Sequence, residues 1–77
     1  MMFLLSQEKE LINLDSVTEI GGVNRGVNLK SIIKVEYISG KENIIAYYNT
    51  DKKCNEVIEE IAKRIENGTR LYVLPEV

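Results

Sequence analysis

Residues 31–66 read SIIKVEYISGKENIIAYYNTDKKCNEVIEEIAKRIE, and a change of period inside this stretch decides the fold. From Ser31 to Ile38 the period is two. Ile33, Val35 and Tyr37 fall on one face, while Lys34 and Glu36 fall on the other between Ile32 and Ile38. The β-branched content agrees with a strand. Ser39-Gly40 is a hairpin turn, and Asn43 to Asn49 is the return strand. Its residues Ile44, Ile45, Ala46, Tyr47 and Tyr48 put apolar groups on both faces, which predicts a central strand or a covered outer face. From Asp51 the period becomes helical. Cys54, Val57, Ile58, Ile61 and Ile65 recur at i, i+3, i+4, i+7 and i+11, one apolar stripe on a helix over 51–66. Asn49 or Thr50 caps its start, Asp51 suits the positive end of the dipole, and Asn67-Gly68 ends it. Glu59–Lys63 and Glu60–Arg64 are spaced to pair along its polar side.

The stripe cannot remain in water. Burying Val57, Ile58, Ile61 and Ile65 contributes roughly 1.5–3 kcal/mol each before the entropy of ordering. The face carrying Ile33, Val35 and Tyr37, with alternate residues of 43–49, is the surface to receive it. Outward from this unit, Phe3 to Ser6, Glu10 to Leu14, Val17 to Ile20 and Arg70 to Leu74 read as further short strands. Gln7-Glu8-Lys9 and Asp15-Ser16 read as turns between them. Gly21 to Lys30, with three Gly and two Asn, reads as a mobile hairpin loop. The expected fold is therefore α+β: an antiparallel β-meander of four to six short strands. One C-terminal amphipathic helix packs on one face, and a short final strand follows. At 77 residues the chain is read as a single domain over 1–77.

The whole chain resembles a family of short uncharacterised proteins from Gram-positive bacteria and their phages. The likeness is carried by Gln7-Glu8-Lys9, Val17-Thr18-Glu19-Ile20, the hairpin from Tyr37 to Tyr48, the helix from Glu56 to Ile65, and Tyr72-Val73-Leu74-Pro75-Glu76. The resemblance implies a small α+β protein and brings no established activity and no catalytic residues.

Composition excludes several chemistries. The chain has no His, so Ser-His and Cys-His nucleophile pairs are missing, as is the commonest general base near neutral pH. Cys54 is the only thiol, which leaves neither a zinc site of paired Cys nor an internal disulfide, and points to a reducing, cytoplasmic setting. The apolar start, Met1 to Ser6, lacks the basic and long apolar regions of a signal peptide. No apolar run approaches the roughly 20 residues that span a bilayer. Asn67-Gly68-Thr69 fits the glycosylation triplet but reads as a helix terminus. No membrane, metal or cofactor is expected, and no catalytic residue is assigned.

Four groups of residues bear on function. Glu56, Glu59, Glu60 and Glu66 read as the solvated side of the helix. Gly21, Gly22 and Gly26 match neither phosphate-loop spacing and precede no helix. Cys54, at a helix start but on the apolar stripe, reads as core. Aromatic and basic residues interleave along the hairpin, and residues 25–53 hold six basic against three acidic side chains. This is the basis of the alternative function, a nucleic-acid-binding accessory protein using Arg25, Lys34, Lys41, Tyr47 and Tyr48. The net charge of −2 gives no strong field to support it. The favoured reading is a small non-enzymatic protein-interaction or regulatory module acting through a sheet face or an edge strand. Its partner is another protein or a second copy, as in a homodimer. The second sheet face, with Ile32, Lys34, Glu36, Ile38 and Tyr48 beside Ile44 and Ala46, is the expected interface.

Overall fold

A computed structural model describes residues 2–23 and 30–76. Its elements follow in the order β1 (Phe3–Leu5), β2 (Leu11–Asn13), a 3-10 turn (Leu14–Ser16), β3 (Val17–Val23), β4 (Ser31–Tyr37), β5 (Glu42–Tyr48), α1 (Asp51–Glu66) and β6 (Leu71–Val73). The α+β class is as expected, with one helix near the C-terminus and a short last strand. The strands, however, form two three-stranded sheets rather than one meander. The central sheet has the order β3-β4-β5 and is antiparallel throughout. The terminal sheet has the order β2-β1-β6, with β2 antiparallel and β6 parallel to β1. The long connection that parallel strands require is supplied by the whole of 6–70, which holds the central sheet and α1 between β1 and β6.

The helix has the limits its periodicity predicts, because its ends are set locally. The Thr50 hydroxyl accepts the Lys53 amide at 3.1 Å. At the other end Gly68 takes φ 72°, and its amide bonds the Ile65 carbonyl while the Thr69 amide bonds that of Arg64. This is the paired closure that glycine permits and a side chain opposes. Asp51 in the first turn accepts the hydroxyl of buried Ser31, tying the helix start to β4.

Cys54, Val57 and Ile61 are buried against the central sheet, together with Ile33 and Val35. Gly22 stands opposite Ile33 in the ladder, and a Cβ there would lie 3.1 Å from both Cys54 Sγ and Ile58 Cδ1. The absent side chain thus lets the helix approach β3. This corrects the expected loop over Gly21 to Lys30: Gly21 to Val23 continue β3, Lys30 precedes β4 outside any strand, and 24–29 lie outside the described residues.

The predicted ambiguity of β5 has a specific cause. Ile33 pairs with Ala46 but Lys34 pairs with Ile44, so Ile45 is an extra residue in the ladder. Consecutive residues Ile45 and Ala46 are both buried. Tyr48 is buried too, on the helix side opposite Ser31.

The two sheets are joined through Gln7, in the turn after β1. Its backbone amide donates to the Ile45 carbonyl at 3.3 Å. Its side-chain oxygen accepts the Tyr47 amide at 2.8 Å, and its Nε2 donates to the carbonyls of Tyr47 at 3.1 Å and Pro75 at 3.0 Å. The Tyr48 hydroxyl donates to the same Pro75 carbonyl at 2.8 Å. Gln7 therefore stands in for a strand residue on the edge of β5 and ties the C-terminal segment to it. Leu4, Ile12 and Leu74 close the core from the terminal sheet, and Arg64 holds β6 to the helix by sitting 5.1 Å above the Tyr72 ring.

Candidate interaction surfaces

The expected interface on the outer face of the central sheet is reduced to two exposed apolar side chains. Tyr48 belongs to the core, where burial pushes its phenol up to about 12, and Ala46 is buried beside it. Ile32 is covered, at 7% exposure, and stands outside the contiguous core cluster. Ile38, 70% exposed, and Ile44 remain open. A charged group occupies the same face. Lys34 donates to Glu42 at 2.8 Å, a bond that holds its ammonium above the ordinary range, with Glu19 and Glu36 adding to the same effect. Glu19 and Glu36 lie opposite each other in the ladder. Lys34 and Glu36, both on the expected interface, thus already interact within one chain's acidic cluster.

The residues of the nucleic-acid alternative do not gather into one surface. Tyr48 is in the core, Tyr47 is bound by Gln7 through its backbone, and Lys34 is paired with Glu42. Lys41 is exposed at the hairpin, and Arg25 lies outside the described residues. Cys54 is buried, its thiol donates to the Ile32 carbonyl at 3.4 Å, and burial pushes its pKa up. A thiolate is therefore disfavoured there despite the helix start. Of the helix acids, Glu60 pairs with Arg64 at 2.7 Å, which holds its carboxyl below the usual range; Glu56, Glu59 and Glu66 are exposed. Among the described residues no three His, Cys, Asp or Glu side chains gather as a metal site, and no helix is long and apolar enough to cross a membrane.

Sequence reasoning missed a more coherent apolar face, the outer side of the terminal sheet. The register places Leu11, Leu5 and Val73 in one row and Asn13, Phe3 and Leu71 in the next. The alternate residues Ile12, Leu4 and Tyr72 point to the core side. Leu11, Leu71 and Val73 are 61%, 48% and 50% exposed, with Phe3 and Leu5 half-buried between them. No charged residue falls within the two rows. The signal was present in Phe3-Leu4-Leu5 and Leu71-Tyr72-Val73, which are apolar at every position and so apolar on both faces of any strand they form.

Compared with known proteins, the chain matches no family model, no curated protein and no solved structure.

Proposed function

We propose that this protein is a non-enzymatic interaction module whose working surface is the outer face of the β2-β1-β6 sheet, and that a second copy of the chain covers it. The observation that carries the reading is the pair of rows Leu11–Leu5–Val73 and Phe3–Leu71, five apolar side chains on one uncharged face. Their uncovered area is on the order of 300–400 Å2, the size of patch that marks an interface on a small protein. Two copies meeting through it would bury about 700 Å2 of apolar surface. With the roughly 65% apolar share of homodimer interfaces, the whole contact would reach about 1,100 Å2. That just clears the roughly 1,000 Å2 a specific interface needs and predicts a weak, concentration-dependent dimer. A two-fold contact of this kind is self-complementary, since each row meets its counterpart and no charge has to be matched. The setting that fits is the cytoplasm, where the lone thiol of Cys54 stays reduced.

Sedimentation of the wild type between about 5 and 500 μM tests the proposal. A rising dimer fraction, lost in Leu71→Lys and in Val73→Lys with thermal stability retained, is expected. A monomer at every concentration would remove the second copy as partner. A dimer lost in Ile38→Lys but untouched by the other two would move the surface to the central sheet.

A further inference from the structure

The helix stripe does not end where burial ends. Ile65, at the last position of the stripe, is 52% exposed although Gly68 and Thr69 close the helix just beyond it. Across from it stand Leu14 of the 3-10 turn and Val17 and Ile20 of β3. Leu14 and Ile65 are shared walls of two adjoining cavities, of about 330 and 180 Å3. The first reaches Met2 and Asp15; the second reaches Val17, Glu19 and Ile20. The larger lies at the low end of the volumes of binding clefts, and both open to solvent. They form a groove between the last turn of α1 and the edge of the central sheet.

Among the described residues, that edge is the longest one left open. β5, at the opposite edge, is occupied at Ile45 and Tyr47 by Gln7. β3 has β4 on one side only, over seven residues. On its far side, among the described residues, the Val17 amide is satisfied by the Leu14 carbonyl, and no other segment adds to the ladder. Unpaired strand backbone beside a cleft with apolar walls at Leu14, Val17, Ile20 and Ile65 is the arrangement that binds an extended peptide as an added strand. The charge of the lining selects among such peptides. Asp15 and Glu19 are its ionisable residues, and no Lys or Arg takes part.

We propose that the groove between β3 and the C-terminal turn of α1 binds an extended peptide segment of a partner protein, apolar at alternate positions and basic between them. The segment adds to the free edge of β3 and seats one apolar side chain between Leu14 and Ile65. The surface is separate from the face assigned to self-association, so the two proposals fail separately.

The test is fluorescence anisotropy with a ten-residue peptide alternating Val and Lys, compared with a Val–Glu peptide and with a Val–Lys peptide N-methylated at alternate residues. Saturable binding of the first alone is expected, with amide shifts from Thr18 to Val23 and at Ile65. Ile65→Ser should weaken it about tenfold and Glu19→Lys several-fold, with the melting temperature unchanged. Leu71→Lys should leave it unchanged. No binding up to 1 mM overturns the proposal, as does equal affinity for the Val–Glu peptide, full affinity of the N-methylated peptide, or shifts confined to the terminal sheet. A monomer that binds the Val–Lys peptide would remove self-association and leave this site intact.

Discussion

Replacing Gln7 with Ala should remove a large share of the stability of this protein, although the residue sits in a turn. The side chain makes three hydrogen bonds, to the Tyr47 amide, the Tyr47 carbonyl and the Pro75 carbonyl, at 2.8, 3.1 and 3.0 Å. At about 0.5–1.5 kcal/mol each, they total roughly 1.5–4.5 kcal/mol. Gln7 is only part-buried, so water reaches some of the groups left behind, and a loss of about 2–3 kcal/mol is expected. At roughly 0.05–0.15 kcal/mol per residue, a chain of this size has about 4–12 kcal/mol in all. The melting temperature should fall by roughly 10–20 °C, at about 4–8 °C per kcal/mol for a small domain.

Two readouts separate this mechanism from a general loosening. In chemical denaturation the midpoint should fall with the slope unchanged. In hydrogen exchange the Tyr47 amide should lose protection ahead of the Val35 amide, which lies within the central strand. Gln7→Glu sharpens the test. A carboxylate still accepts the Tyr47 amide but donates nothing to the two carbonyls, so the charged form is disfavoured in the folded state and its folded pKa is raised. That variant should be more stable in acid and lose the advantage as pH rises through the raised value. A Gln7→Ala protein within 0.5 kcal/mol of wild type, with Tyr47 exchange unaltered, would refute the role given to this side chain.

Three further outcomes follow from the geometry. Tyr48 has a phenol raised by burial from 10.0 to about 12, so its neutral form stabilises the fold at all pH values below about 10, and that contribution fades between pH 10 and 12. Phenolate absorbance should show a late-titrating tyrosine that Tyr48→Phe removes. Gly68→Ala should cost about 1 kcal/mol in denaturation, because φ 72° strains any residue with a Cβ. Ile61→Asp should abolish the cooperative melt, since it would place an unpaired carboxylate in the helix–sheet core.

Elements whose causes are local were legible in the sequence. The stripe from Cys54 to Ile61 lies within the helix, Thr50 and Gly68 flank it directly, and its limits are the predicted ones. The alternation of Ile33, Val35 and Tyr37 likewise marked both β4 and its core face. What escaped had long-range causes. Gln7 bonds residues 40 and 68 positions away, and nothing near it in sequence distinguishes it from an ordinary turn residue. The extra residue at Ile45 moves the following positions of β5 to the opposite face. That shift took Ala46 and Tyr48 out of the expected outer surface and left Ile44 there. Gly22 looked like a loop residue because its reason is the approach of Cys54 and Ile58, more than 30 positions on.

The division into two sheets is what decides where apolar surface is left over. A single meander would have had one helix and one bare face, and the bare face would have been that of β4. Instead the terminal sheet closes the core from the side of β5, supplying Leu4, Ile12 and Leu74, and α1 is left to cover the central sheet alone. Three-residue strands with apolar residues on both faces cannot bury both of them in so small a core. Leu4, Tyr72 and Ile12 therefore turn inward at the cost of exposing Leu71, Val73 and Leu11. The helix, aligned with the central sheet by Gly22 and Ser31, runs past the end of the core and leaves Ile65 open beside β3. Both uncovered regions are consequences of the same topology, in which β6 pairs with β1 and Gln7 holds that pairing against β5.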